Sequence, residues 1–334
     1  MKMKYDFENS SSKKFPMLIV LENTNVCNLR CIHCPIGQGW TETPHYKPSY
    51  MSWSTYKKII DEISQYTITQ LIFSPEGENL VHPEFIDQLI YAKEMGINKT
   101  TIITNALTLD NLALIKGKKD KITNIEAILN TSPEVINISL DAATKKTYEN
   151  IRKGSNYHRV WSNVHRLLDF REKLKSNTKI ILNIIEQKEN NDEINLFKSY
   201  WGGMVDRILV RPYLNNLGLT PNKSRDSIPE RWPCPQFWKR ISINSHGGIR
   251  FCVVDWDDKS VLGNIKNNTI QEIWSGAEYD RLRGCHIKEK YDEAHKICGP
   301  CTDWKGMRWD WGYEKAIGAI RGDKNIPDIP SPFE

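Results

Sequence analysis

Three cysteines, Cys27, Cys31 and Cys34, lie within eight residues in the stretch CNLRCIHC. An odd number of thiols does not close a set of disulfides, and a closed tetrahedral metal site needs four ligands. Three thiolates at this spacing can hold three irons of a [4Fe–4S] cluster, which ordinarily takes four cysteines. The fourth iron would stay open to a ligand, as catalytic metal sites require. The alternative is a zinc ion held by the same cysteines with His33 or a distant residue.

The other five cysteines lie in the last third of the chain. Cys298 and Cys301 form the pair CGPC, and Cys234 and Cys252 flank the stretch HGG. HGG predicts a hairpin turn that returns Cys252 toward Cys234. These four cysteines could hold a second iron–sulfur cluster or a zinc ribbon. Cys285 stands outside both pairs.

The bulk composition limits the class of protein. With 334 residues, 39% hydrophobic and 26% charged, the chain is an ordinary globular protein of one or two domains. No apolar run is long enough for a bilayer, and the N-terminus MKMKYDFENSSSKK has no apolar signal core. We therefore expect a cytoplasmic protein without a membrane partner, in which eight cysteines indicate metal or catalysis rather than disulfides. The net charge of +5 is dispersed, so no nucleic-acid partner is predicted.

The segments that would position the cysteines alternate regularly between predicted strands and predicted helices. Six aliphatic runs predict buried strands, at 17–22, 70–74, 100–104, 135–140, 179–185 and 207–212. Amphipathic stretches between them predict helices, at 52–64, 83–95, 144–153, 157–174 and 192–201. The alternation predicts a parallel α/β sheet, open or curled into a partial barrel. Cys27 would lie in the first βα loop, at the edge where parallel sheets carry their sites.

The alternation stops after Pro212. A polar stretch at 213–226 predicts a linker, and residues 227–315 predict a second module with few apolar runs. Residues 1–14 and 316–334 would be tails.

CNLRCIHC resembles the CxxxCxxC motif of the radical S-adenosylmethionine (SAM) superfamily. In that family the open iron binds the amino and carboxylate groups of SAM, and an electron from the cluster cleaves SAM to a 5′-deoxyadenosyl radical. The resemblance implies a partial (β/α)6 TIM-like barrel over residues 15–212. It also implies SAM as a cofactor and an electron donor such as flavodoxin or ferredoxin as a partner.

Two further stretches resemble family motifs that meet SAM. The stretch EGEN at 76–79 resembles the family's GGEP, which contacts the SAM amino group, and it matches at Gly77 and Glu78. Asn105 in TNA matches the family's TNG stretch. The resemblance therefore assigns Gly77, Glu78 and Asn105 to SAM binding.

The resemblance assigns four more residues to SAM binding. Ser139 and Asp141, in SLDA, match the family's SxD stretch, which touches the SAM ribose or carboxylate. Arg152 is placed to pair with the SAM carboxylate by a charge-assisted bond. His33 stands where the family has an aromatic or similar residue near the adenine.

The stretch from Cys234 to Cys252, followed by CGPC, resembles the SPASM and twitch domains of one branch of this family. A full SPASM domain has two more cysteines after its CxxC, and this chain has none after Cys301. The resemblance implies a twitch form with one auxiliary [4Fe–4S] cluster on Cys234, Cys252, Cys298 and Cys301. Cys285 is then a bystander, a replacement for one of the four ligands, or a hydrogen-atom donor of the kind found in radical SAM epimerases.

We expect a two-electron oxidation, because a second cluster can accept the electron left on a substrate radical. Twitch-domain aminocyclitol dehydrogenases are the nearest resemblance, which implies a small polyol or amino sugar as substrate. Radical epimerisation using Cys285 and peptide modification are the enzymatic alternatives, although only 26 residues precede Cys27, too few for an N-terminal peptide-binding module. A zinc-stabilised binding protein is the non-enzymatic alternative. Aromatic residues at 38–53 and 308–315 could face a sugar ring, and Glu42, Asp303 or Asp310 could bind an amine.

Overall fold

The computed structural model describes residues 5, 7, 14–74, 76–118, 121–221, 230–307, 309 and 313–322. Asp310, residues 222–226 of the predicted linker and most of both predicted tails lie outside these ranges. Eleven strands occur in the described chain: β1 (Leu18–Leu21), β2 (Arg30–Cys31), β3 (Gln70–Phe73), β4 (Thr100–Thr104), β5 (Val135–Ser139), β6 (Arg152–Lys153), β7 (Lys179–Ile185), β8 (Arg207–Arg211), β9 (Arg240–Ile243), β10 (Gly248–Arg250) and β11 (Val261–Asn264).

The described helices are α1 (Trp53–Ile63), α2 (Phe85–Glu94), α3 (Asn124–Thr131), α4 (Lys145–Ile151), α5 (Tyr157–Lys173), α6 (Ile194–Trp201), α7 (Gln236–Lys239), α8 (Ile270–Trp274), α9 (Ala277–Ile287), α10 (Tyr291–Ala294) and α11 (Tyr313–Ile320). None of them is long and apolar enough to cross a membrane.

Strands β1, β3, β4, β5, β7 and β8 are neighbours in sequence order, and every pair among them is parallel. Helices connect each strand to the next, so the sheet curls into the partial (β/α)6 barrel. The predicted α/β fold is confirmed. The strands are buried on both faces, which is why they are almost continuously aliphatic.

One face of the sheet forms the interior of the barrel. The register pairs Asn137 with Ile181 and Ser139 with Asn183, so these side chains share that face. At the end opposite to the site, Ile317 of α11 packs on Val135, Ile181 and Leu209. Helix α11 therefore closes the amino-terminal end of the barrel and leaves the carboxyl ends of the strands for the site.

The second half of the chain extends the same sheet. Strand β9 pairs in parallel with β1, from Leu18 opposite Arg240 to Leu21 opposite Ile243. Strands β9 and β10 form the antiparallel hairpin predicted from HGG, in which Gly247 adopts a φ of 83°. The resulting nine-stranded sheet runs from β11 to β8. It joins residues 234–301, which we call the cysteine-rich segment, to the barrel.

Candidate active site

The loop that carries the first three cysteines is fixed by a short ladder. Strand β2 pairs antiparallel with β6, which places Cys31 opposite Arg152, and the amide of Ile32 donates to the carbonyl of Ile151 at 2.9 Å. The backbone of Leu29 donates to Sγ of Cys27 at 3.4 Å. The end of α4 thus brings a guanidinium beside the cysteine loop.

One pocket opens at the carboxyl ends of the barrel strands. Nine of the ten residues predicted for the cluster and SAM line this pocket: Cys27, Cys31, His33, Cys34, Gly77, Glu78, Asn105, Ser139 and Arg152. We call it the SAM pocket, after the cofactor that the sequence predicts for these residues. Burial raises the pKa of the Cys27 thiol to about 12 and that of Cys31 and Cys34 above the usual range. The Cys31 thiol is buried and those of Cys27 and Cys34 are half-buried, and three thiols grouped around one opening are the donors that an iron–sulfur cluster needs.

Gly77 lets two chain segments approach closely. Its amide donates to the carbonyl of Thr24 at 3.2 Å, and the amide of Glu78 donates to the carbonyl of Val26 at 2.9 Å. A Cβ at position 77 would lie 2.0 Å from the oxygen of Val26, inside any allowed contact. This position therefore needs glycine, and it sets the carboxylate of Glu78 beside the cysteine loop.

The Glu78 carboxylate is buried and held on both oxygens. Oε1 accepts from the hydroxyl of Thr104 at 2.7 Å, and Oε2 accepts from the backbone amide of Asn105 at 2.7 Å. The side-chain amide of Asn105 donates in turn to Asn28 at 2.8 Å. Burial raises the pKa of Glu78, and the hydrogen bond from Asn105 limits that rise. The carboxylate is thus prearranged at the end of β4.

Asp141 is the predicted residue that does not line the SAM pocket. It is fully buried, and its two oxygens accept from Nη2 of Arg152 at 2.5 Å and from the backbone amide of Ile185 at 2.7 Å. Nε2 of His33 lies 3.7 Å from the same carboxylate. Asp141 therefore orients the side chains of Arg152 and His33 without lining the pocket itself.

Arg152 has the properties of an anion-binding group. Its Nη1 lies 3.8 Å from Sγ of Cys31, and its buried Nε has no hydrogen-bond partner among the described residues. A buried N–H without a partner is unfavourable unless a ligand completes it. The residues present therefore fit a cluster with a carboxylate-bearing cofactor beside it.

Several pocket residues have no counterpart among the sequence predictions. The polar and aromatic ones among them are Glu76, Thr104, Arg211, Tyr213, Asn216 and Trp256. Thr104 and Arg211 end β4 and β8, so the rule that sites lie at the carboxyl ends of strands would have found them. Trp256 comes from the cysteine-rich segment, and only the fold brings it to the barrel.

The proposed auxiliary ligands meet in a second cavity. Cys234, Cys252, Cys298 and Cys301 all line it. Burial raises the pKa of Cys234 to about 11. Residues around them complete the wall, among them Arg231, Phe237, His286, Ile297 and Trp304.

Cys285 is not among the residues that line either cavity. It lies on α9, half-buried, with its Sγ 3.8 Å from Nη1 of Arg281. Asp303 is buried and accepts the backbone amides of Asn215 and Leu217 at 2.7 and 2.9 Å, so its carboxylate holds the connecting segment. Glu42 ends the 3-10 turn Trp40–Glu42.

No group of three or more His, Cys, Asp and Glu side chains in the described ranges is arranged to hold a metal ion. A zinc ion needs its four ligands around one point. In a [4Fe–4S] cluster each of the four thiolates binds a different iron, so the sulfurs lie farther apart than around a single metal ion.

Family profiles match both halves of the chain. The radical SAM superfamily matches residues 21–194, more than half of the chain, and the SPASM iron–sulfur cluster-binding domain matches residues 234–302. The chain belongs to the radical SAM superfamily. It has the SPASM/twitch architecture of one branch, and its cofactors are [4Fe–4S] clusters and SAM. The predicted family, fold and cofactors are confirmed.

Solved structures share this fold at low identity. BtrN in complex with AdoMet and 2-DOIA has a TM-score of 0.60 and 15% identity, over 90% of this chain and 98% of BtrN. SuiB of Streptococcus suis bound to the precursor peptide SuiA has a TM-score of 0.62 and 15% identity, over 79% of this chain and 65% of SuiB. The anSMEcpe structure with AdoMet and Cp18Cys peptide has a TM-score of 0.58 and 14% identity, over 92% and 100%.

Among curated proteins, GTP 3′,8-cyclase of Clostridium botulinum (strain Hall) is 27% identical over 180 residues. The match covers 53% of this chain and 51% of the cyclase. The chain thus spans about half the length of the curated relatives it matches.

Proposed function

We propose that this protein is a radical SAM oxidoreductase that oxidises a secondary alcohol of a small polyol or amino sugar to a ketone. When bound, the first cluster and SAM supply a 5′-deoxyadenosyl radical, and the auxiliary cluster supplies a one-electron acceptor. The substrate carbon would give a hydrogen atom to this radical, which forms 5′-deoxyadenosine, its hydroxyl would lose a proton, and the remaining electron would pass to the acceptor. Two hydrogens are removed in total.

The observation that carries this proposal is that neighbouring cavities share lining residues between the SAM pocket and the four-cysteine cavity. Trp256 lines the SAM pocket and also a neighbouring groove, and that groove reaches Cys301. Cys301 in turn lines the cavity of the four cysteines. A substrate held against Trp256 would lie between the two centres, where the electron left after hydrogen abstraction has a short path.

The roles follow from the contacts. We assign Cys27, Cys31 and Cys34 to the first cluster and Arg152 and Glu78 to the charged groups of SAM. Burial, the Asp141 contact and the Glu78 hydrogen bonds prearrange these groups, which lowers the entropy cost of binding.

The substrate would meet the part of the pocket that the sequence did not predict. Arg211 and Asn216 offer polar contacts to hydroxyls, and the indole of Trp256 offers a face for a sugar ring. The proposal is also supported by the near-complete overlap with BtrN, whose structure contains 2-DOIA, because 98% of that chain has a counterpart here.

An anaerobic assay tests the proposal. Reconstituted protein with SAM and a low-potential reductant should convert a polyol or amino sugar to a product two mass units lighter, with one 5′-deoxyadenosine per product. The Cys34→Ala variant should form neither. A product of unchanged mass, or 5′-deoxyadenosine without any oxidised small molecule, would contradict the proposal.

Epimerisation predicts a different result with Cys285. The epimerase reaction needs a thiol facing the substrate carbon, whereas Cys285 lies on α9 beside Arg281. We therefore expect the Cys285→Ala variant to retain turnover, and product formed in D₂O to gain no deuterium at carbon. Solvent deuterium in an unchanged-mass skeleton, lost in Cys285→Ala, would favour the epimerase.

Peptide modification is the second candidate, and the likeness to SuiB and anSMEcpe, both solved with peptides, favours it. The same assay separates the two candidates when peptides are included beside the small molecules. Oxidation of a peptide alone would assign the protein to the peptide-modifying enzymes.

A further inference from the structure

His286 is a buried histidine in the wall of the four-cysteine cavity. It lies on α9 with 1% of its surface exposed. The backbone amide of Cys234 donates to its Nδ1 at 3.2 Å. Because a backbone N–H can only donate, Nδ1 carries the lone pair, and the proton of the neutral ring is on Nε2.

The Nε2–H group of His286 lacks a hydrogen-bond partner within the part of the chain that the structure describes. It is buried, and no described residue accepts its proton. Phe237 and Tyr291 pack against the ring, with centroids 4.5 and 5.2 Å away, and they hold its orientation. A native fold rarely leaves a buried donor unsatisfied, so an acceptor that belongs to the cavity is required.

A second unpartnered donor lines the same cavity. Arg231 uses Nη1 and Nη2 to donate to the carbonyls of Gly299 and Cys298 at 2.8 and 2.5 Å, and its guanidinium stacks on Tyr291 at 4.0 Å. Its Nε is buried and has no acceptor among the described residues. Two independent N–H groups thus lack an acceptor in a cavity lined by four thiols.

We propose that Nε2–H of His286 donates a hydrogen bond to a sulfur of the auxiliary cluster, with Nε of Arg231 as a second donor, and that these bonds raise the cluster's reduction potential. Reduction adds one negative charge to the cluster, and a donor to sulfur stabilises the more negative form. Hydrogen bonds to the sulfurs are among the factors that set the potentials of iron–sulfur clusters.

The inference rests on the proposed auxiliary ligands and is independent of the substrate. It supplies what the proposed oxidation needs, namely an acceptor that takes one electron from a carbon radical. In that step the substrate radical loses one electron and one proton, and the cluster passes from its 2+ to its 1+ state.

Two substitutions separate the two nitrogens of His286. Asn can keep an acceptor near the position of Nδ1 for the Cys234 amide, but it has no group at the position of Nε2. Gln can place an N–H near Nε2 and loses the acceptor. Both are introduced into the 334-residue chain carrying Cys27→Ala, Cys31→Ala and Cys34→Ala, so that only the auxiliary cluster is present.

A redox titration followed by electron paramagnetic resonance gives the midpoint potential. We expect a more negative potential in His286→Asn and a potential near that of the parent in His286→Gln. The control is His295→Asn, because His295 does not line the cavity, and its ring packs on Phe251 at 5.2 Å. It should leave the potential unchanged.

A second measurement does not depend on a substitution at position 286. In the same three-cysteine variant labelled with ¹⁵N-histidine, the reduced cluster should show a ¹⁵N hyperfine coupling. The proposal is overturned by an unchanged potential in iron-loaded His286→Asn, or by the absence of that coupling. Failure of the three-cysteine variant to bind iron would overturn the ligand set along with it, whereas a failed substrate assay would contradict the oxidation alone.

Discussion

Position 77 shows how a single atom can decide the site. The backbone of Gly77 and Glu78 runs against the segment that ends at Cys27, and a Cβ would meet the Val26 oxygen at 2.0 Å. The Gly77→Ala variant must move one of the two segments, which separates Glu78 from the cysteine loop. A displacement of about 1 Å can cost roughly 100-fold in rate, so we expect a loss of that order in 5′-deoxyadenosine formation.

The measurement is the rate of 5′-deoxyadenosine formation under anaerobic conditions, with iron content determined in parallel. Gly284→Ala is the matched control, because a Cβ there meets nothing within 4 Å and the residue is inside α9. It should retain the rate and gain slightly in stability. A wild-type rate in Gly77→Ala would show that the close approach is not required.

At the residue scale, the sequence predicts which residues line the SAM pocket but not the contacts that orient them. The motif spacing places Glu78 and Asn105 at the pocket because each follows a predicted strand, whereas Arg152 lies near the end of the predicted helix at 144–153. The role of Asp141 could not be predicted. Its position in SLDA matches a SAM-binding stretch, but its carboxylate faces Arg152 and the β7 backbone, which only the folded register shows.

At the scale of elements, one arginine connects three strands. Arg250 of β10 is buried and contacts Glu22, which follows β1, at 2.9 Å and Glu76, which follows β3, at 2.5 Å. Burial raises the pKa of Glu76 well above its usual range, and the nearby charge of Glu22 raises it further, while Arg250 opposes both. The guanidinium is therefore needed to keep two neighbouring carboxylates inside the fold.

Removing this guanidinium should destabilise the whole sheet. We expect Arg250→Met to lower the free energy of unfolding by about 3–5 kcal/mol, because it leaves uncompensated carboxylates buried. Lys259→Met is the control, since the exposed Lys259 pairs with Asp257 and such pairs contribute about 0–1 kcal/mol. Urea unfolding under anaerobic conditions measures both, and equal losses would contradict the role of Arg250.

The pH dependence of the Arg250→Met variant has a definite sign. A carboxyl whose folded pKa is raised binds its proton more tightly in the folded than in the unfolded state. Stability is then greater below the folded pKa and falls as the pH rises through it. Lowering the pH should therefore recover part of the free energy of unfolding that Arg250→Met loses. The difference in this free energy between variant and parent should become smaller.

The alternation of aliphatic runs predicts both ends of each of the six barrel strands to within one residue. Helix α3 is absent from that prediction, although Thr123 and Glu126 form a capping box, which is a sequence signal for the start of a helix. The pairing of β9 with β1 has no local signal, because the paired residues are more than 200 positions apart. Long-range parallel pairing is decided by the assembled sheet.

On the scale of the whole molecule, the cysteine-rich segment has two parts that are stabilised in different ways. Strands β9 and β10 belong to the barrel sheet, through β1 and Arg250. The stretch from α9 to Cys301 consists of short helices and turns around the four-cysteine cavity. Metal ligation contributes folding free energy where regular packing is sparse, so these two parts should respond differently to loss of the cluster.

We therefore expect Cys298→Ala to lose the auxiliary cluster and to loosen residues 277–301 while β9 stays protected on β1. Hydrogen exchange followed by mass spectrometry should show faster exchange in α9, α10 and the CGPC turn, with exchange in Arg240–Ile243 unchanged. The iron content should fall by about half if each site holds one four-iron cluster.

Cys285→Ala is the matched control, because this thiol lies on α9 outside the cavity. This variant should keep its iron content and its protection from exchange. Faster exchange in β9 as well would mean that the cluster holds the whole second half in place, and full iron content in Cys298→Ala would remove Cys298 from the ligand set.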